Sequence, residues 1–202
     1  LLDNEDKQKS AQYFKMAADN GDIDSMNIYA LRKYIGEGVD ANTEEAIHYF
    51  EMAAEKGNSL ANGTLGIMYD TGKLRDEAKR VKIDKAKAAI YYKRAADGGN
   101  FIIMYMYGKM LCKGDGIKED KQKGLYYLKN AADNGIVEAM YEYGKMLFEG
   151  DGIKEDKNEA ASYMKNAADN GHINAMTFLA LILLNGDGIK KSHYSFSGIN
   201  NI

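Results

Sequence analysis

An Ala-Ala pair followed three residues later by Gly occurs five times in the 202-residue chain. The copies are Ala17-Ala18 with Gly21, Ala53-Ala54 with Gly57, Ala95-Ala96 with Gly99, Ala131-Ala132 with Gly135, and Ala167-Ala168 with Gly171, at spacings of 36, 42, 36 and 36 residues. A second marker keeps the same beat, as Gly36-Glu37-Gly38, Gly114-Asp115-Gly116, Gly150-Asp151-Gly152 and Gly186-Asp187-Gly188. At Gly72 the second Gly is replaced by Leu74, and six extra residues enter between Gly72 and Ala95. Self-similarity at this period means one supersecondary unit stacked on copies of itself.

Two segments per period carry helical spacing. Ala160, Tyr163, Met164, Ala167 and Ala168 fall at i, i+3, i+4, i+7 and i+8, as do Ala139, Met140, Tyr143, Gly144 and Leu147 up to one position. The first kind of helix stops at Asn-Gly or Lys-Gly, and the second at the Gly-x-Gly turn, where Gly admits positive φ. Asn42, Asp120 and Asp156 stand where N-caps or first-turn acids belong. No window alternates with period two, so strands are not expected. One antiparallel helix pair cannot bury its own apolar stripe but a stack of pairs can, so the spacing predicts an all-α solenoid. The Ala-Ala pairs and Gly66, Gly108 and Gly144 are then small because helices approach closely there. The predicted array runs over 1–191, with whole units at 22–57, 58–99, 100–135 and 136–171, partial units at 1–21 and 172–191, and a non-repeat tail at 192–202. Both ends are expected to be cut from a longer array.

Composition removes several classes. Pro is absent where average usage gives roughly ten, so Gly alone must end the helices. A net charge of −3, with both signs interspersed, lacks the basic field that nonspecific nucleic-acid binding needs. The longest apolar run, Phe178 to Leu184, is far short of the ~18 residues of a membrane span. The single cysteine, Cys112, forms no internal disulfide and favours a reducing compartment such as the cytoplasm.

The segments Ala139-Met-Tyr-Glu-Tyr-Gly-Lys-Met-Leu-Phe-Glu-Gly-Asp-Gly-Ile153 and Asn158-Glu-Ala-Ala-Ser-Tyr-Met-Lys-Asn-Ala-Ala-Asp-Asn-Gly171 resemble the Sel1-like repeat. That family carries an aliphatic-Gly-x-x-Tyr helix, a Gly-x-Gly-aliphatic turn and a Lys-Ala-Ala-x-x-Gly helix end. The resemblance covers about residues 5–190. Its aromatic is kept as Tyr69 but becomes Lys33, Leu111, Leu147 and Leu183 elsewhere, and its small Gly is Ala30 in the first copy and Ala180 in the last. The resemblance implies a right-handed α-α superhelix of tetratricopeptide-like type acting as an adaptor for protein or peptide partners. Some relatives are secreted with a Cys pair in each repeat, a branch that a chain with one Cys does not join.

In such solenoids the Gly-containing helices line the concave side, so positions around the small Gly or Ala should form a ladder. Three residues before it stand Asn27, Gly63, Tyr105, Tyr141 and Thr177; one after, Leu31, Ile67, Lys109, Lys145 and Leu181; four after, Tyr34, Asp70, Cys112, Phe148 and Leu184. Tyr105, Tyr141 and Phe148 beside Lys109 and Lys145 offer aromatic anchors and charge to a peptide; the same aromatics would serve equally as an extension of the core. Around the insertion, Lys73, Arg75, Lys79, Arg80, Lys82, Lys85 and Lys87 form a basic stretch. It reads either as a docking patch for an acidic partner, centred on Arg75, Lys79, Arg80 and Lys82, or as a solvated helix extension balanced by Asp76, Glu77 and Asp84.

No catalytic, cofactor or metal signature accompanies this pattern. His48, His172 and His193 are far apart and without metal spacing, and Gly114-Asp115-Gly116 lacks both the Gly-Lys-Ser/Thr of a phosphate loop and the ligands of an EF-hand. Cys112 lacks a nearby His and is expected to be partly buried. The last helix, 175–184, is apolar almost all round, through Phe178, Leu181, Ile182 and Leu184. Unless the tail Ser192 to Ile202 folds over it, a missing following repeat, or second to that an end-to-end homodimer through this helix, is expected to cover it. The reading is a noncatalytic interaction scaffold. The alternatives are a regulatory or substrate-recruiting module of a larger enzyme-containing protein, and a hydrolase with an unrecognised site.

Overall fold

The computed structural model describes residues 4–73 and 81–185. Ten helices and no strand occur among them: α1 (Asn4–Asp19), α2 (Ile23–Ile35), α3 (Thr43–Glu55), α4 (Ser59–Thr71), α5 (Lys85–Asp97), α6 (Phe101–Lys113), α7 (Lys121–Asp133), α8 (Val137–Glu149), α9 (Lys157–Asp169) and α10 (Ile173–Asn185). The chain is an all-α solenoid of antiparallel helix pairs. It divides into two compact units, Leu1–Tyr127 and Leu128–Ile202, described separately below.

The repeated Ala-Ala-x-x-Gly is a helix stop built twice over. Gly57 N–H donates to Ala54 and Asn58 N–H to Ala53, both at 3.0 Å, which satisfies two orphan carbonyls with Gly57 at φ +88°. The same two bonds recur at every copy: onto Ala18 and Ala17, Ala96 and Ala95, Ala132 and Ala131, Ala168 and Ala167. This is the Schellman geometry, and only Gly enters it without a Cβ penalty. The next residue then starts the following helix. Asp22, Asn58 and Asn100 accept from the backbone N–H groups of Ser25, Ala61 and Ile103. Asn42, Asp120 and Asp156 do the same for Glu45, Lys123 and Glu159, as their positions in the sequence imply. One short motif therefore ends one helix and caps the next, except at Ile136, which makes no side-chain cap bond.

Small residues set the helix spacing. A Cβ at Gly66 would come closer than 3.0 Å to the ring of Tyr92, and one at Gly144 would meet Tyr163 Cβ at 3.1 Å and the Ala160 carbonyl oxygen at 3.2 Å. In the first unit the core gathers Met26, Tyr29, Tyr34, Phe50, Leu65 and Met68, then Tyr92, Ile103, Tyr107, Leu111 and Tyr127. In the second, Met164, Ala167 and Ala175 pack with Val137, Met140, Tyr141 and Phe178.

A polar clasp accompanies this packing at three junctions. In the first unit Tyr49 donates to Asp19 at 2.7 Å while Lys15 holds the same carboxylate, also at 2.7 Å. Tyr127 donates to Asp97 at 2.7 Å, and Lys93 pairs with Asp97. In the second unit Tyr163 donates to Asp133, which Lys129 holds at 2.9 Å. Each Tyr lies thirty residues after its Asp, and each Lys four before it. The Tyr ring also packs edge-on against a second Tyr, as Tyr29–Tyr49, Tyr107–Tyr127 and Tyr143–Tyr163. At the junction beside the insertion the hub moves: Tyr91 donates to Glu51 at 3.2 Å and Lys87 pairs with it at 3.1 Å.

Two ladder positions, Gly63 and Tyr34, are buried. Tyr34 is wholly buried rather than at a recognition surface. Its neighbour Lys33 occupies the position filled in later repeats by the buried Leu111 and Leu147. Lys33 turns to Glu45 at 3.0 Å instead, and Tyr34 fills the core. Ile182 is also buried, so the open apolar side of α10 is carried by Ile173, Met176, Leu181, Leu183 and Leu184.

Candidate functional site

In the first unit three ladder positions converge. Tyr105 and Lys109 on α6, with Asp70 at the end of α4, line an open groove of about 300 Å³ completed by Met106, Met110, Lys113 and Asp115. Tyr105 and Lys109 are half-buried one turn apart, and Lys109 donates from Nζ to the Tyr105 hydroxyl at 3.0 Å, with the ammonium 5.0 Å from the ring centroid. Behind the two lining carboxylates Lys85 bridges Asp70 at 2.5 Å and Asp115 at 2.8 Å, while Tyr92 donates to the other Asp70 oxygen at 3.0 Å. Its hydrogen bonds to Asp115 and Asp70 raise the Lys85 pKa, and burial, with Asp70 behind it, pushes the Tyr92 hydroxyl well above its ordinary value. Both groups keep their protons at neutral pH, so Asp70 and Asp115 are held in an acid–base lattice beside the polarizable thioethers of Met106 and Met110. Asp115 escapes sequence reasoning because it stands in the Gly-x-Gly turn, where the repeat period already accounts for it.

Other ladder residues are engaged elsewhere. In the second unit Tyr141 stacks on His172 at 4.5 Å and packs into the local core, so His172 is a structural residue. Its Nδ1 accepts from the Ala175 N–H at 3.1 Å and so caps α10. Phe148 meets Phe178 edge-on at 5.1 Å, with Lys157 over its ring, and Lys145 lies 3.8 Å from Glu149. Thr177 is exposed. Asn27, in the first unit, is half-buried with a side-chain oxygen that accepts no hydrogen bond, and Leu31 is exposed beside Ile28 and Ile35. Cys112 is partly buried, as expected.

Of the basic stretch, Arg75, Lys79 and Arg80 lie outside the described residues and Lys82 is exposed. Lys85 and Lys87 are held internally, Lys87 by Glu51 and by the Tyr69 hydroxyl at 2.7 Å. Burial lowers the Lys87 pKa, but these two bonds outweigh it and the net shift is upward. Among the described residues no three of His, Cys, Asp and Glu converge as a metal site, and no helix is long and apolar enough to cross a membrane.

Comparison with known proteins agrees with this architecture. A Sel1 repeat protein from Oxalobacter formigenes is similar over 93% of this chain and 75% of its own, with 30% identity and a TM-score of 0.73. A protective antigen of uropathogenic Escherichia coli displaying an SLR fold matches 91% of this chain with 23% identity and a TM-score of 0.82; the chain spans only 38% of that antigen. Cysteine-rich protein B of Helicobacter pylori matches 68% of this chain and 95% of its own, with 22% identity and a TM-score of 0.51. No curated protein sequence matches significantly. The model of the Sel1 repeat matches residues 4–22, 23–58, 64–100, 104–136, 137–172 and 173–194. Repeats of this kind typically mediate protein interactions. Matched in this way over nearly its whole length, and built on the helix pairs described above, the chain belongs to the Sel1 repeat family.

Proposed function

We propose that this protein is a noncatalytic interaction module that seats a peptide segment of a protein partner in the α6 groove. The observation that carries this reading is the convergence of Tyr105, Lys109, Met106 and Met110 with Asp70 and Asp115 on one groove. An aromatic face and two methionines take an apolar side chain of varied shape. Lys109 receives a carboxylate or backbone carbonyl, while the Asp115 edge receives an amine or amide donor. A segment with an apolar anchor flanked by both charge signs fits these walls. The ordered Lys85 lattice keeps the acidic wall in place before binding, which lowers the ordering cost of recognition.

A photo-crosslinking amino acid placed at position 105 tests this directly. The expected result is covalent capture of a protein partner from the native source, abolished by Lys109→Ala and by Asp115→Ala. Equal capture from position 177 on the exposed face of α10, or capture indifferent to both substitutions, refutes the assignment of the groove.

A further inference from the structure

Among the described residues the Lys–Asp–Tyr clasp is complete three times, and its two halves each occur once more, alone, towards opposite ends. Tyr13 on α1 stands 36 residues before Tyr49, in the same register. Tyr49 and Tyr127 are 7% and 6% exposed in their clasps, whereas Tyr13 is 69% exposed. Beside it Met16 is exposed, although Met52, its counterpart on α3, packs against the core. At the other end Lys165 holds Asp169 at 2.5 Å, repeating the lysine–aspartate half of the clasp without the tyrosine. The Asp169 side chain is 60% exposed, against 46%, 46% and 45% for Asp19, Asp97 and Asp133, which have theirs. On the adjoining α10, Leu183 is exposed where its counterparts Leu111 and Leu147 are buried.

We propose that a second copy of this chain docks head to tail, its Tyr13 donating to the Asp169 carboxylate that Lys165 already orients. Met16 of the incoming α1 then covers apolar surface on α10, around Met176 and Leu183. A second copy is the occupant because the same molecule bears both missing halves, and their completed form recurs at its own internal junctions. The contact is heterologous, joining two different surfaces, so each added copy presents a fresh acceptor and assembly grows past the dimer. A symmetric dimer through α10 alone would leave Tyr13 exposed.

Sedimentation equilibrium on the full chain tests this with Tyr13→Ala and Asp169→Ala, both at exposed positions where melting temperature verifies folding. Wild type is expected to rise past dimer mass with concentration, and each variant alone to associate at least about tenfold more weakly, as loss of an interface tyrosine or its partner implies. Mixed in equal amounts, the variants retain one intact donor and one intact acceptor between them. The mixture should regain association and stop at the dimer. Wild type that stays monomeric to about 1 mM, association that survives either substitution, or a mixture that fails to recover would each overturn the proposal. The first outcome leaves these faces to a foreign partner or to other parts of the chain.

Discussion

Tyr127 reaches back thirty residues to donate its hydroxyl proton to Asp97 at 2.7 Å, and thereby ties the middle of α7 to the end of α5. The bond sits at the edge of the apolar interface, where the ring is buried and the carboxylate is half in water. Burial alone would raise the Asp97 pKa, but Lys93 and Tyr127 outweigh it and hold the carboxyl below its ordinary range. Tyr127→Phe keeps the ring and removes the donor. Hydrogen bonds to charged groups are worth more than neutral ones, yet solvent screens this carboxylate, so the expected loss is about 1 kcal/mol. Chemical denaturation checks it, and NMR titration should show the Asp97 pKa moving up.

The clasps also set a pH window. Asp19, Asp97 and Asp133 have depressed pKa values, caused at Asp19 by Lys15 and Tyr49 and at the others by partners that outweigh burial. Their contribution is present above the ordinary carboxylate pKa of about 3.9 and is lost as pH falls through the lower folded values. Tyr163 is pushed up to about 12 by burial and by Asp133, and Tyr29 to about 12 by burial and by Glu45. That contribution is present below the ordinary tyrosine pKa of about 10 and is lost as pH rises towards the folded values. The urea midpoint should therefore fall on both sides, and Tyr163→Phe should flatten the alkaline limb.

Gly66→Ala pits helix propensity against packing. Alanine is favoured in a helix interior by about 1 kcal/mol, but the new methyl meets the ring of Tyr92, which is wholly buried and anchored to Asp70. Overpacking costs about 1–3 kcal/mol, so the net effect is destabilising. Gly144→Ala, whose nearest neighbours stand at 3.1 and 3.2 Å, should cost less. Parallel thermal melts compare the two.

Tyr34→Ala and Tyr105→Ala separate scaffold from surface. The first empties a fully buried site and should cost about 3–5 kcal/mol. The second removes a half-buried groove residue and should stay within about 1–2 kcal/mol, with its effect falling on partner capture. Equal destabilisation by both would count Tyr105 among the core residues.

The solenoid was legible because its signals are local. Ala-Ala-x-x-Gly places a Schellman stop and, where the next residue carries an acceptor, a cap, and both depend only on short-range geometry. The clasp was not read from the sequence: Lys, Asp and Tyr do recur at spacings of four and thirty residues, but that they meet is a tertiary fact. Lys33 was likewise a visible departure whose consequence, the burial of Tyr34, needed the packing of α2 against α3. Tyr141 could not be told from Tyr105 by spacing, because both stand three residues before the small glycine of their helix.

The sequence by itself determined the period, the helix ends and the membership of the stack, since these follow from residues within a turn or two of one another. Tertiary structure alone decided which ladder residues face water. Tyr141 is claimed by His172 from the next repeat, Phe148 by Phe178, and Tyr105 is left to line a groove. The physical reason is that burial depends on what the neighbouring repeat offers at each position. Repeats that share a backbone plan differ in those side chains, and the period carries no information about them.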